Sequence, residues 1–131
     1  MSAIGAVIQG RAAAESLMLD SCTVHRPGAP VTDPNTGAVT TPLTPIYTGR
    51  CKFQQTLAQS SNPVAGEHQF TVQDVRWDTP VGVGPFLVDD VVTVTGAALD
   101  PDLVGNVYRV TDPFHKTAAT AQRTRVERVV A

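Results

Sequence analysis

The sequence predicts a mainly β fold, a small antiparallel β-barrel or sandwich of about seven strands with a short N-terminal α-helix. Its 131 residues fit a single domain with one core. Hydrophobic residues make up 42% of the chain and aromatic residues only 5%, so valine must build much of the core, which suits strands. Ten glycines and ten prolines indicate frequent turns. We expect the helix within residues 1–19 and the β-barrel domain within residues 20–131.

The first segment has a helical composition over residues 3–18. Its apolar residues recur at helical spacing in a stripe of Ile4, Val7 or Ile8, Ala14 and Met18. Arg11 and Glu15 lie beside this stripe, and Gly5 and Gly10 weaken the helix by about 1 kcal/mol each relative to alanine. Such a helix needs a surface to lie on. That surface is either its own domain or a neighbouring subunit, and both alternatives remain open.

Alternating apolar and polar residues replace the helical period after Asp20 and predict strands. The predicted strands are 22–26, 39–47, 50–55, 66–78, 91–95, 106–112 and 120–130. Pro42 and Pro45 make the second of these an edge or irregular strand. The sequence DPNTG at residues 33–37 is a strong turn signal, because proline presets φ while Asn and Gly tolerate positive φ.

The predicted strand 66–78 changes the parity of its apolar residues. Phe70 and Val72 share one parity, whereas Val75 and Trp77 share the other. One extra residue would return both pairs to the core, which predicts a β-bulge near Gln73–Asp74.

Two long loops interrupt the strand pattern. The segment 56–66, TLAQSSNPVAG, is uncharged and long for a compact β domain, and loops of this kind are often functional. The segment 96–105, GAALDPDLVG, is the second.

The charge pattern and the cysteines exclude several classes of protein. A net charge of −2 lacks the overall basic footprint of a free-standing nucleic-acid binder. The apolar start of the chain lacks the basic region of a signal peptide, and no run is long enough to span a membrane. We therefore expect no membrane association and a reducing cytoplasm. There Cys22 and Cys51 would be small buried hydrophobes.

The sequence lacks a recognisable catalytic or ligand motif. His25, His68 and His115 occupy separate segments outside any nucleophile–base pattern, and no metal-ligand spacing occurs. Asp89–Asp90 is interpreted as a solvated turn ahead of a strand, since neighbours on a strand point to opposite faces. The sequence GVG at residues 82–84 lacks the Lys and the helix of a phosphate loop. We expect no catalytic residue, no metal and no cofactor.

The last predicted strand concentrates basic residues. It places Arg123, Arg125 and Glu127 on one face and Thr124, Val126 and Arg128 on the other. Three interpretations remain open: a solvated edge strand, an ion-paired subunit contact, or a lining that faces nucleic acid phosphates.

Several segments, taken in order, resemble the head-closure (stopper, or head–tail connector) proteins of long-tailed bacteriophages, especially a small family encoded by phages of actinobacteria. The similar features are the Tyr-x-Gly-x-Cys step, the Asp-x-Val-x-Val strand, the segment DPDLVGNVYRV and the Arg-x-Arg-Val-Glu ending, within residues 20–130. One departure is Asp89–Asp90, where the family pattern has Gly-Asp.

The resemblance implies a β-barrel that forms a homo-oligomeric ring in the virion, beneath the portal and adaptor proteins, after assembly in the host cytoplasm. The ring would close the channel around the packaged double-stranded DNA and dock the tail proteins. The channel-loop candidates are Gln59, Ser60, Ser61, Asn62 and Pro63, with the loop 96–105 as a second candidate. The subunit-interface candidates are Ile4, Val7, Ile8, Arg123, Arg125 and Arg128.

Other hypotheses are weaker. An adaptor at the same joint would be predominantly helical, and an enzyme has no support among the motifs. The alternative from a different class is an OB-like module that binds single-stranded nucleic acid, which needs stacking aromatic residues and basic residues on one sheet face.

Overall fold

The structure is a computed structural model that describes residues 2–59 and 71–129. One α-helix and eight strands lie in these ranges: α1 Ala3–Ser16, β1 Asp20–Pro27, β2 Val31–Thr32, β3 Val39–Thr40, β4 Leu43–Gln59, β5 Thr71–Thr79, β6 Val91–Ala97, β7 Val107–Phe114 and β8 Gln122–Arg128. A short 3₁₀ turn covers Pro101–Leu103. Six strands close into an antiparallel barrel in the order β1-β4-β5-β8-β7-β6, and β2 pairs with β3 in a separate two-stranded sheet. The predicted mainly β fold is confirmed, and the barrel alternative is the correct one.

Valine and a few rings fill the barrel, as the composition predicts. Trp77 is fully buried, and its ring centroid lies 4.6 Å from that of Phe86. Around this pair pack the buried residues Cys22, Val24, Cys51, Val75, Val92, Val94, Tyr108, Val110 and Val126. The two cysteines are free thiols, and a hydrogen bond with Cys22 together with burial raises the pKa of Cys51. They are therefore the inert buried hydrophobes that the sequence predicts.

The helix lies against the barrel along only part of the predicted stripe. Ser2 caps its first turn, accepting a hydrogen bond from the Gly5 amide at 3.0 Å. No residue of α1 is buried; Val7 is half-buried, whereas Ile4 is 73% and Ile8 60% exposed. The helix side chain that hydrogen-bonds the barrel domain is Arg11, whose Nε donates to the Ala119 carbonyl at 3.1 Å. The helix thus leaves two large apolar side chains in solvent.

β4 merges two predicted strands into one of 17 residues. Its first part, from Leu43 to Cys51, pairs with β1 alone, and its pairing with β5 begins at Lys52. Pro45 is tolerated because it lies in this singly paired part, where the register with β1 shifts opposite Val24 and His25. The expected irregular edge is therefore a segment of a longer strand.

The predicted β-bulge near Gln73–Asp74 is wrong. β4 and β5 pair without a shift from Lys52 opposite Asp78 to Gln59 opposite Thr71. β4 continues to Gln59 and stays in register with β5. The predicted start of the loop at residue 56 is therefore also wrong. The register shifts lie instead in β1 against β4 and β6, and in β7 against β8.

The turn predicted at residues 33–37 forms as expected. The Gly37 amide donates to the Asp33 carbonyl at 2.8 Å, and the Asp33 carboxylate accepts from the Asn35 amide at 2.8 Å. That second hydrogen bond lowers the pKa of Asp33. Gly37 has a φ of 71°, which glycine adopts without strain.

One testable prediction concerns Asp20 at the start of β1. Burial raises the pKa of its carboxyl, the Phe53 amide lowers it by donating a hydrogen bond, and the charge of Asp100 raises it again. Because the folded pKa lies above the unfolded one, the resulting contribution to stability is complete at low pH and is lost as pH rises through the folded pKa.

Asp20→Asn keeps a hydrogen-bond acceptor and cannot ionise. We expect it to raise Tm at pH 7 and to leave Tm unchanged below about pH 3, where the Asp20 carboxyl is protonated in both the folded and the unfolded protein. Calorimetry of both proteins across this pH range is the measurement. An equal gain in Tm at both ends would contradict the electrostatic cause.

Candidate functional site: a charged groove on the barrel wall

The strand registers bring charged residues from four strands into two parallel rows across the outside of the barrel. The first row consists of Gln54, Arg76, Arg125 and Asp112. The second row consists of Lys52, Asp78, Arg123 and Phe114. A cleft of about 440 Å³ opens along them, which we call the arginine groove. It is lined by Gln54, Val75, Arg76, Asp112, Phe114, Arg123, Thr124 and Arg125. The groove thus belongs to β4, β5, β8 and β7, and no single strand could form it.

Two arginines face each other at the centre of the groove. Arg76 on β5 lies opposite Arg125 on β8, and like charges in that position repel. Each has a carboxylate beside it: Arg76 Nε lies 3.1 Å from Asp78, and Arg125 lies 3.9 Å from Asp112. Arg76 also donates a hydrogen bond to Gln54. Each member of this like-charged pair therefore has a carboxylate partner of its own.

Two polar side chains of the groove retain unused hydrogen-bonding capacity. Arg123 lies opposite Asp78 in the register, but within the described ranges its buried Nε finds no acceptor. The hydroxyl of Thr124, a residue that is 1% exposed, also has no partner there. Buried polar atoms are nearly always satisfied, but both of these atoms are hidden from solvent, so a group from another molecule would reach them only after a local rearrangement.

The groove is positive in a chain that is negative overall. Its two rows hold four basic residues, Lys52, Arg76, Arg123 and Arg125, against two carboxylates, while the chain carries a net charge of −2. Such a patch favours a partner surface that is acidic.

An exposed aromatic ring borders the groove. Phe114 is the last residue of β7 and is 63% exposed. Its carbonyl accepts a hydrogen bond from Gln122 Nε2 at 2.6 Å, which fixes the strand end against β8. Arginine and aromatic residues are the types enriched at protein interfaces.

The structure brings together only some of the predicted interface residues. Arg123 and Arg125 line the groove, whereas Arg128 lies at the other end of β8 and donates to Asn106 Oδ1 at 3.1 Å. The interpretation of β8 as a solvated edge strand is wrong, because β5 and β7 pair with it on both sides.

The remaining predicted residues lie elsewhere. Ile4, Val7 and Ile8 lie on α1, outside the groove. Gln59 is the last residue of β4 and pairs with Thr71. The channel-loop candidates Ser60, Ser61, Asn62 and Pro63 lie outside the described residues.

Sequence reasoning missed Arg76 and Phe114. Arg76 is one of several charges on its strand, and Phe114 lies beyond the predicted strand 106–112. Only the pairing of β5 with β8, and of β7 with β8, places both beside Arg123 and Arg125. Alternation within one strand could not have revealed that.

A second ionic cluster corrects the interpretation of Asp89–Asp90. Asp90 is 1% exposed, accepts two hydrogen bonds from Arg26 at 3.0 Å and a third from the Leu87 amide at 2.8 Å. Asp89 has a φ of 77° and its carboxylate lies 2.8 Å from Arg109. Asp90 is therefore a buried structural anchor, and only Asp89 is a solvent-facing turn residue.

Other kinds of site receive no support from the described part of the chain. No group of three or more His, Cys, Asp or Glu side chains is placed there to hold a metal ion. Across the same residues, no helix is both long enough and apolar enough to cross a membrane.

The fold and the groove define the protein as a small closed β-barrel with a charged outer wall and a lightly attached N-terminal helix. A family model matches residues 10–127, which cover the second half of α1 and the barrel up to the penultimate residue of β8. The chain belongs to that family, described as a family of unknown function (DUF6093). No curated protein and no solved structure matches the chain.

Proposed function

We propose that this protein is a structural subunit of a homo-oligomeric ring at the head–tail interface of a long-tailed phage. The observation that carries the proposal is a closed barrel that retains two contact surfaces outside its core. These are the helix with exposed Ile4 and Ile8, and the arginine groove. Since the six strands close on one another, copies can associate through these surfaces and not through a free barrel edge.

The resemblance to head-closure proteins supports the role, and its motifs have a physical reason in this fold. In the Tyr-x-Gly-x-Cys step, a Cβ at Gly49 would lie 2.6 Å from the Tyr47 hydroxyl, while Cys51 is buried. In the Asp-x-Val-x-Val strand, Asp90 is the buried anchor and two core valines follow. The residues of both motifs therefore contribute to the packing of the barrel.

The one departure from the family pattern also has a reason. Asp89 stands where that pattern has glycine, and its φ of 77° is the conformation that glycine adopts most easily. The chain keeps the same turn with an aspartate, which is among the residues that tolerate it best. The departure leaves the proposed role unchanged.

In this proposal the ring closes the portal channel with the segment that contains Gln59–Pro63 and docks the tail on one face. The second candidate, the loop 96–105, is held to the barrel by two hydrogen bonds, from the Val94 amide to the Asn106 carbonyl and from the Gly105 amide to the Val94 carbonyl. Such a pinned loop suits a fixed contact better than a closing movement. This favours the first candidate for the channel.

The location of the protein tests the proposal. Cryo-EM of virions, with antibody labelling, should place it in the connector between the portal and adaptor proteins and the tail tube, around the packaged DNA. Protein found free in infected cells and missing from virions would overturn the ring role.

A loop replacement tests the channel assignment. Gln59 and Thr71 pair across β4 and β5, so an Asn-Gly turn in place of residues 60–70 can join them as a hairpin. We expect the barrel to keep its Tm and its circular dichroism spectrum, while infected cells yield heads that leak DNA or lack tails. Normal virion yield with the shortened chain would contradict the assignment.

A second candidate function follows from the groove itself. Three arginines and an exposed phenylalanine on one barrel face meet part of the requirement for an OB-like module that binds single-stranded nucleic acid. Binding to oligonucleotides that weakens steeply with salt would support it.

A further inference from the structure

We infer that the arginine groove of one copy receives the acidic loop Leu99–Asp102 of a second copy, in a head-to-tail contact. The inference rests on the proposed ring of identical subunits and names the surfaces that would join them.

The acidic loop presents an apolar side chain and two carboxylates on the surface. Leu99 is 80% exposed, more than any other large hydrophobic residue in the described part of the chain. Asp100 and Asp102 are exposed on either side of Pro101. Such a combination in solvent is typical of a docking segment.

The loop is held in one shape before it binds. Asp100 caps the 3₁₀ turn, its Oδ1 accepting from the Asp102 amide at 3.1 Å. Leu103, just after the loop, packs against the core, and the Asn106 amide donates to the Leu103 carbonyl at 3.1 Å. A segment fixed in this way loses little conformational entropy on docking.

The groove is complementary to this loop in charge and in apolar surface. Its excess of positive charge, with Arg76, Arg123 and Arg125 against Asp112 among the lining residues, matches the two carboxylates. Phe114 is an exposed apolar surface for Leu99. A volume of about 440 Å³ is in the range of sites that hold a few side chains.

The topology places loop and groove on different strands of the barrel. The loop joins β6 to the start of β7, whereas the groove residues of β7, Asp112 and Phe114, lie towards the end of that strand, and the other lining residues lie on β4, β5 and β8. Two different patches on one chain produce a heterologous contact, which generates a ring when the rotation between copies closes.

The groove fits a protein segment better than a nucleic acid backbone. Asp78 and Asp112 stand beside its arginines, and they would repel a continuous chain of phosphates along the row more than they would repel two isolated carboxylates. A short segment with two carboxylates can reach the guanidinium groups between them. Binding of nucleic acid in the groove is therefore a competing outcome, which the test below distinguishes from self-association.

The test uses two variants of the full chain. Arg123→Gln with Arg125→Gln neutralises the groove. Asp100→Asn with Asp102→Asn neutralises the loop, and asparagine at position 100 still caps the turn. A control, Arg50→Gln with Lys116→Gln, removes two exposed positive charges from residues that do not line the groove.

Sedimentation velocity over a concentration series should show self-association of the wild type and of the control that weakens as salt rises. Each neutralised variant should associate about tenfold or more weakly. An equal mixture should form dimers and nothing larger, because the intact loop of the groove variant fits the intact groove of the loop variant while the other two surfaces are blocked.

Several results would overturn the inference: a wild type that stays monomeric at millimolar concentration, a neutralised variant that associates like the wild type, or folded variants that fail to pair when mixed. Duplex DNA binding that is lost in the groove variant and kept in the loop variant, with association unchanged, would assign the groove to phosphates instead. The ring role fails separately, through absence of the protein from virions. If the groove variant does not fold, the loop variant still tests the inference, because its two substitutions lie at exposed positions.

Discussion

Replacing Trp77 with alanine should lower the free energy of unfolding by about 3–5 kcal/mol. The indole is fully buried at the centre of the barrel, with Phe86 stacked at a tilt 4.6 Å away. In a core made largely of valine, few neighbouring side chains are long enough to fill the resulting cavity. Urea denaturation followed by circular dichroism measures the change, since the variant has no tryptophan to report by fluorescence.

Two matched variants separate the cavity from other effects. Trp77→Phe keeps a buried ring and removes less volume, so it should be milder. Phe114→Ala removes a ring that is 63% exposed, so its effect should stay near 0.5 kcal/mol or below, as is usual for surface sites. Equal effects for Trp77→Ala and Phe114→Ala would contradict the assigned core.

The position of Trp77 could be predicted because it depends on local alternation alone. Val75 and Trp77 share the parity of a strand face, and both are buried. The turn at residues 33–37 and the helix are equally local features, set by turn residues and by helical composition. In each case the residues that determine the structure are neighbours in the sequence.

The arginine groove could not be predicted because it depends on register and closure. Arg123 and Arg125 were recognisable as a basic pair, but their partner Arg76 is about fifty residues away and meets them only when β5 pairs with β8. The false β-bulge has the same origin. Parity within the predicted strand 66–78 predicts an extra residue, whereas the partner strand β4 pairs with β5 without a shift as far as Gln59.

The helix shows how a correct element can carry a partly incorrect face. Its apolar residues predict one stripe, of which Met18 is buried and Val7 is half-buried, whereas Ile4 is exposed. The barrel contacts a face that includes Arg11, because that side chain finds a carbonyl acceptor at Ala119. A hydrophobicity pattern cannot anticipate a hydrogen bond from a charged residue to a loop more than a hundred positions away.

Asp90→Ala should destabilise the protein by about 3 kcal/mol. The substitution removes a carboxylate that accepts two hydrogen bonds from Arg26 and one from the Leu87 amide. It leaves Arg26 Nε and the Leu87 amide without this acceptor, while Arg26 Nη2 keeps the Pro85 carbonyl at 3.0 Å. The site lies beside a backbone that pairs β6 with β7 through the Val110 amide and the Asp90 carbonyl. We place the effect at the lower end of the range for broken buried ion pairs because the Arg26 side chain is 36% exposed and regains water. Thermal and urea unfolding measure it.

The neighbouring carboxylate supplies the matched control. Asp89→Gly removes the same charge one residue earlier, from a side chain that is 60% exposed, and relieves its positive φ. Its loss of an exposed ion pair with Arg109 should be offset by that relief, leaving stability within about 0.5 kcal/mol. Asp90→Asn should fall between, since it keeps the shape and loses the charge. If Asp89→Gly destabilised the protein as much as Asp90→Ala, the negative charge of the turn would be what stabilises it. The specific contact of buried Asp90 with Arg26 of β1 would then not be the cause.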